Sequence, residues 1–351
     1  MTPQSPPAEE LYADELAALA KKDSGPKPPG WKLSPASVIS FLQNKFVGDR
    51  ALLERCVVTL AGQRGLLLVG EPGTAKSMLS ELLAAAISSS SELTVQGTAG
   101  STEDHLRYGW NYALLLAKGP HPEALVPSPM LTAMRQGSLV RVEELTRCLP
   151  EVQDALVSLM SDRRLSVPEL GSTEYARAGF NVIATANLRD KGVSEMSSAL
   201  KRRFNFEVIH PIPELKSEVA LVKKQAMAAV AVAQAPFELD DSILEALVTA
   251  FRDLRSGQSV EGWAVEKPGT VLSTAEAVAV ASSMALQTTY FRSQADPLSL
   301  LPGYLLGTVS KDDLKDRARL LAYWDGAVRK RAENGGRVWK RLLELRATLE
   351  E

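Results

Sequence analysis

Residues 66–77, Leu-Leu-Leu-Val-Gly-Glu-Pro-Gly-Thr-Ala-Lys-Ser, run an apolar stretch into a glycine-bearing loop that ends in a lysine and a serine. That order suits a nucleoside triphosphate. Backbone N–H groups around Gly70, Gly73 and Thr74 can wrap phosphate oxygens, and a helix beginning near Lys76 turns its positive dipole end toward them. Lys76 is expected to reach the β- and γ-phosphates, and the Ser77 hydroxyl to bind Mg²⁺. One position departs from the G-x-x-x-x-G-K-[ST] pattern: Ala75 stands where the second glycine belongs. Alanine has no access to the glycine-only part of φ/ψ space, but a residue entering a helix does not require it, so the loop reading stands.

Hydrolysis needs groups that hold a metal and aim a water. Leu139-Val140-Arg141-Val142-Glu143-Glu144 reads as a short apolar strand ending in two carboxylates. Strand ends line the ligand crevice of a parallel sheet, so Glu143 can support Mg²⁺ and Glu144 can orient or deprotonate the attacking water. Asn187, after the apolar run Phe180 to Ala186, offers an amide to the γ-phosphate or the water. Lys201-Arg202-Arg203 offers cations that could stabilise transition-state charge in a neighbouring subunit's site.

The elements that must position these residues follow from periodicity. Ser34-Pro35 starts a helix carrying Val38, Ile39, Phe41 and Leu42, and a second helix covers about 49–62. Strands are expected at 64–69, 92–96, 138–142, 180–186 and near 206–209, with helices at 76–88 and 150–161 and a hairpin or loop at 165–180. The stretch 98–129, broken by Gly109, Gly119, Pro120, Pro122, Pro127 and Pro129 around a short apolar helix near 113–117, reads as a surface insert. Strands alternating with helices imply a three-layer α/β domain on a parallel five-stranded sheet. Beyond 213 the pattern is helical, at 214–233, 240–254, 273–290 and 311–332. The domains are therefore expected as a flexible arm over 1–33, rich in Pro, Lys, Glu and Ala, an α/β domain over 34–212, and an all-α unit over 213–351.

The chain has 351 residues, 45% of them apolar, and a formal charge of −2 with both signs interspersed. That balance argues against a nucleic-acid or membrane surface. No apolar run reaches membrane-spanning length, and Met-Thr-Pro-Gln-Ser-Pro-Pro has no leader-like region, so a cytoplasmic protein is expected. Cys56 and Cys148, far apart, read as reduced thiols, and His105, His121 and His210 show no metal-ligand spacing.

Taken together, these segments resemble the MoxR type of AAA+ ATPase, nearest to the YehL-like group within the dynein-related set that also contains the McrB restriction GTPase. The resemblance rests on Phe46-Val47-Gly48, Gly70 to Ser77, Glu143-Glu144-Leu145-Thr146-Arg147, Pro150 to Leu156, Ile183 to Asn187 and Ser198 to Phe204. It covers about residues 34–210 strongly and the helical part more weakly. The resemblance implies an ATP and Mg²⁺ site made by Val47 and Gly48 on the adenine side, by Gly70, Glu71, Pro72, Gly73, Thr74, Ala75, Lys76, Ser77 and Met78 around the phosphates, and by Ser77 and Glu143 at the metal. It implies Glu144 as base, Asn187 as sensor 1, Arg203 or Arg202 as an arginine finger, and 98–129 as a helix-2 insert. It also implies a homo-oligomeric ring, usually of six, that remodels a client alongside a von Willebrand factor A domain protein, with an all-α lid after the sheet domain. Two departures are visible: Glu143 replaces an aspartate, and Leu272 to Ala277 carries an acid where a sensor 2 arginine is expected. A nucleotide-dependent assembly switch without turnover and the motor of a nucleic-acid system are the competing expectations.

Overall fold

The computed structural model describes residues 6–187, 194–232, 239–291, 296–311, 313 and 315–350. The chain divides into two compact units, Met1–Glu71 with Ala75–His210, and Pro72–Thr74 with Pro211–Glu351. In the first, two short helices, α1 (Ala8–Leu11) and α2 (Ala13–Lys22), precede α3 (Pro35–Gln43) and α4 (Arg50–Ala61). Then come β1 (Gly65–Gly70), α5 (Lys76–Ser88), β2 (Thr94–Gln96), β3 (Tyr108–Trp110), α6 (Tyr112–Lys118), β4 (Leu125–Pro127) and α7 (Pro129–Gln136). The unit ends with β5 (Leu139–Glu143), α8 (Pro150–Asp162), β6 (Arg164–Val167), β7 (Ser172–Tyr175), β8 (Asn181–Ala186), α9 (Ser198–Lys201) and β9 (Phe204–Ile209).

Five strands form one sheet in the order β2-β5-β8-β1-β9, parallel at every junction. Each face is covered, which is why β1 and most of β8, broken only by Asn181 and Thr185, read as apolar runs. Successive side chains alternate between the faces. Leu66 and Leu68 pack with Phe41, Leu42, Leu79 and Leu83, whereas Leu67 and Val69 pack with Val140, Met130, Met134 and Leu156. The strand ends therefore sit on a core closed from both sides.

The segment expected to be a flexible arm, with transient helix over Leu11 to Lys21, is helical over Ala8–Leu11 and Ala13–Lys22 and is docked. Residues 1–5 lie outside the described residues, but Ala8, Trp31 and Leu33 are buried in the α3–α5 core. Glu9 accepts hydrogen bonds from the Ser91 amide (2.8 Å) and hydroxyl (2.6 Å), and the Tyr12 ring meets Phe41 edge-on at 5.7 Å. Lys45 Nζ reaches Glu15 at 2.7 Å while lying 4.0 Å from the Phe41 ring centre. Composition shows only that such a stretch cannot build its own core; here it borrows one.

Three glycines fix the end of this segment to the base of the sheet. Gly137 precedes β5 and Gly179 precedes β8, and the pairing of Leu139 with Asn181 sets the two turns side by side. Gly30 lies against both. All three have positive φ (83°, 71° and 97° for Gly30, Gly137 and Gly179). A Cβ added to Gly137 would sit 2.3 Å from the Ala178 oxygen, and one added to Gly179 would sit 2.3 Å from the Gly137 oxygen. Backbone meets backbone there, so no side chain fits.

The stretch 98–129 holds the antiparallel pair β3–β4, anchored by buried Leu106, Tyr108 and Leu125. Its helix α6 buries no residue. The expected hairpin after α8 is β6–β7.

In the second unit, α10 (Leu215–Val232), α11 (Asp241–Ser256), α12 (Thr274–Tyr290), α13 (Leu301–Val309) and α14 (Lys315–Tyr323) lead through a π-helical turn, Trp324–Val328, to α15 (Arg329–Glu333) and α16 (Arg337–Glu344). The helix expected over 311–332 thus carries an i→i+5 turn, and α13 and α16 fall outside the named helical ranges but within the all-α unit expected over 213–351. Pro302 occupies the first turn of α13, where a missing N–H costs nothing. Arg331, nearly buried, pairs with Asp253 at 2.7 Å and Glu261 at 2.7 Å, and its guanidinium lies against the Trp263 and Trp339 rings. No helix among the described residues is long and apolar enough to cross a membrane.

Candidate functional site

The end of β1, the start of α5 and the ends of β5 and β8 bring the chemistry-bearing residues of the first unit together. Lys76 opens α5 and is buried. Its Nζ donates to the carbonyls of Gly70 (3.0 Å) and Glu71 (2.7 Å), which holds the ammonium over the loop. Ser77 Oγ donates to Glu143 Oε2 at 2.7 Å. Thr185, on β8, donates to the same oxygen at 2.7 Å and accepts the Glu144 amide at 3.0 Å. The two strands and the helix therefore meet at one carboxylate.

Glu143 is buried, which alone would push its carboxyl up. Hydrogen bonds from Ser80 and Thr185, the nearby Arg141 charge and the Ser77 hydroxyl outweigh that burial and hold it below the usual carboxylate range. It is an anion with its lone pairs in use. Glu144 differs in every respect. It sits in the left-handed region (φ 52°, ψ 44°), and its side chain is 40% exposed and pairs with Arg147 at 2.6 Å. A buried, multiply hydrogen-bonded carboxylate thus stands directly beside an accessible one.

The donors at Ser77 and Glu143 are a hydroxyl and a carboxylate, hard oxygens of the kind Mg²⁺ takes when phosphates and water complete its shell. Among the described residues there is no cluster of three or more His, Cys, Asp or Glu that would cage a metal by itself. The residues present fit a metal that arrives with a nucleotide.

Pro72, Gly73 and Thr74 form the loop between β1 and α5. Val47 is exposed and Gly48 follows it before α4, with the Phe46 ring so close that a Cβ on Gly48 would lie 2.4 Å from it. Met78 packs beside the α3–α5 core, and Asn187 follows β8, partly buried. Arg202 and Arg203 differ. Arg203 donates to Ser161 Oγ at 2.8 Å and to the Ala199 carbonyl at 3.1 Å, whereas Arg202 is exposed at the C-cap of α9. Ser80, Arg141 and Thr185, which converge on Glu143, carried no assigned role in the sequence. The signal for Arg141 was there: a lone cation in an otherwise apolar strand, two residues before Glu143.

A model of the AAA domain of the dynein-related subfamily matches residues 65–204, and one of the YehL-like AAA+ ATPase C-terminal domain matches residues 216–350. The uncharacterized protein YehL of Escherichia coli K12 is 48% identical over 336 residues, covering 93% of this chain and 92% of its own. The chain belongs to the YehL-like AAA+ ATPases. More distant relatives are the uncharacterized proteins SH1500 of Staphylococcus haemolyticus, 25% identical over 66% of this chain and 83% of its own, and YojN of Bacillus subtilis, 26% identical over 59% and 64%.

For a YehL-like phosphate loop, the position before the lysine holds a surprise. Ala75 is not helical: it caps α5 with φ 63° and ψ 27°. The second glycine of the motif is thus replaced by a residue that still adopts the glycine conformation, at about 1 kcal/mol or somewhat more. Stability should therefore rank Ala75→Gly at or above wild type, with Ala75→Val lower by about 1–3 kcal/mol. Urea denaturation of the three proteins checks this. A glycine variant less stable by about 1 kcal/mol, the helix-interior cost, would restore the helical reading.

Proposed function

We propose that this chain binds ATP with Mg²⁺ and hydrolyses it, and that it works as a MoxR-type remodelling or maturation motor. The observation that carries the proposal is the 2.7 Å contact of Ser77 Oγ with the buried Glu143 carboxylate, directly after a lysine whose Nζ is held over the loop carbonyls. Lys76 would exchange those carbonyls for phosphate oxygens. Val47 and Gly48 would border the adenine, and the loop from Gly70 to Thr74 would offer N–H groups to the phosphates. Mg²⁺, when bound, would neutralise phosphate charge between Ser77 and Glu143. Glu144, released from Arg147, would take the proton of the attacking water on a carboxylate oxygen, with the Asn187 amide orienting that water.

A homo-oligomeric ring of six, a von Willebrand factor A domain partner, a client to be remodelled and a cytoplasmic setting are supported by the resemblance to MoxR-type proteins and belong to the same proposal. In such a ring Arg202 is the better finger, because it is exposed while Arg203 is engaged within its own chain. Phosphate release should rise more than in proportion to protein concentration, and Arg202→Ala should lower it by about 10³-fold or more with ATP affinity kept. Mixing Arg202→Ala with Lys76→Ala chains should restore part of the turnover. Failure to recover any at all mixing ratios overturns the trans role, and absence of phosphate release by the wild type at every concentration overturns the motor.

The second reading is a nucleotide-dependent assembly switch. It is favoured by the Glu144–Arg147 pair, which engages the proposed base. Arg147→Ala separates the two readings: a released base raises phosphate release, whereas a switch shows none with or without Arg147.

A further inference from the structure

Arg141 is a guanidinium inside the sheet core. The residue is 9% exposed, on a strand that is buried from Leu139 to Glu143. Desolvating such a cation costs several kcal/mol unless its donors are matched. Here all three nitrogens are engaged: Nε on Ser80 Oγ (3.0 Å), Nη1 on the Ser91 carbonyl (3.1 Å) and Thr94 Oγ1 (3.4 Å), and Nη2 on the Ser77 carbonyl (3.3 Å) and Glu143 Oε1 (2.8 Å). A core built for stability alone would be served as well by an apolar side chain of similar volume.

The Glu143 carboxylate is shared out by oxygen. Oε1 receives Arg141 Nη2 and Ser80 Oγ, the latter at 2.6 Å. Oε2 receives Ser77 Oγ and Thr185 Oγ1, each at 2.7 Å. Arg141 and Glu143, two apart on β5, point to the same face. The extra methylene of glutamate over aspartate gives the carboxylate the reach to lie back along that face against the guanidinium.

We propose that Arg141 is a positioning residue for the metal–nucleotide site: by clamping Glu143 Oε1 it turns Oε2 toward Ser77, and its charge offsets that of Glu143, so the site draws a divalent cation in company with a phosphate rather than alone. The proposal rests on the ATP and Mg²⁺ reading above. It makes Arg141 and Glu143 a matched pair, the longer acid requiring the buried cation.

The test measures affinity for a fluorescent ATP analogue in excess EDTA and across a Mg²⁺ titration, for wild type, Arg141→Met, Arg141→Lys, Glu143→Asp and the Arg141→Met/Glu143→Asp double variant, with the melting temperature of each. The gain in affinity on adding Mg²⁺ should fall about 10- to 100-fold in Arg141→Met, as for loss of a group that orients a metal ligand, with the EDTA affinity nearly unchanged. Arg141→Lys should recover part of the gain. Glu143→Asp should lose it too, because the shorter acid no longer reaches Oε1's partners, and the double variant should be no worse than the worse single one. Parallel losses with and without Mg²⁺ that track the melting temperature overturn the proposal, and so do additive effects in the double variant. Should Arg141→Met be recovered unfolded, Glu143→Asp carries the test, and an unchanged Mg²⁺ dependence there overturns it. A wild type that binds no nucleotide overturns the ATP reading and this proposal together; a wild type whose Mg²⁺ gain survives Arg141→Met overturns this proposal alone.

Discussion

Glu144→Gln should bind ATP as the wild type does and lose turnover by about 10²- to 10⁴-fold, the usual worth of a positioned general base. The residue is well placed for so selective a loss. Its amide is fixed by Thr185 Oγ1 at 3.0 Å, so the backbone that carries it stays where β5 and β8 put it. Its side chain is 40% exposed and meets Arg147, so glutamine fits without a buried charge being stranded. Glu143 offers no such clean change, since four donors converge on its carboxylate. Steady-state phosphate release beside equilibrium binding of a fluorescent ATP analogue reads the two quantities separately. Turnover within about twofold of wild type would remove Glu144 from the chemistry.

Lys76→Ala should do the reverse and abolish binding. Two charge-assisted contacts to phosphate, each worth about 1.5–3 kcal/mol, correspond to an affinity loss of about 100-fold or more. In the absence of nucleotide the same lysine donates to the Gly70 and Glu71 carbonyls, which lie at the loop. The variant should therefore melt near the wild-type temperature without nucleotide and fail to gain stability when Mg²⁺ and ATP are added. Differential scanning fluorimetry with and without both shows this directly. An equal nucleotide-induced shift in the two proteins would displace Lys76 from the site.

The sheet was legible because burial on both faces leaves a clear mark: Leu66 to Val69 is apolar without interruption, and Val182 to Ala186 is apolar but for Thr185. The parallel sheet followed by a helical region, expected from the alternation of elements, is what the structure contains. Glu143 was legible as a strand-end acid, but its surroundings were not. Arg141 passed as one polar residue in an apolar strand, because a sequence does not reveal that Ser80, Ser91 and Thr94 will converge on a guanidinium. Ala75 misled for a different reason. Conformational preference argues from the average residue, and the turn into α5 demands a left-handed residue whichever side chain stands there. The segment before residue 34 was misjudged because composition weighs a stretch in isolation, whereas Trp31 and Leu33 are buried by elements that follow them in the chain.

The three glycines at the base of the sheet carry a consequence for the order of assembly. Gly137 and Gly179 become neighbours only when β5 has paired with β8, and only then does the surface that receives Gly30 exist. The segment from Ala8 to Leu33 is thus held by contacts that close long loops, and it waits for the strands. In native-state hydrogen exchange the Ala8–Lys22 helices should open as a unit at lower free energy than β1, β5 and β8, and the Ser91 amide, bonded to Glu9, should open with them.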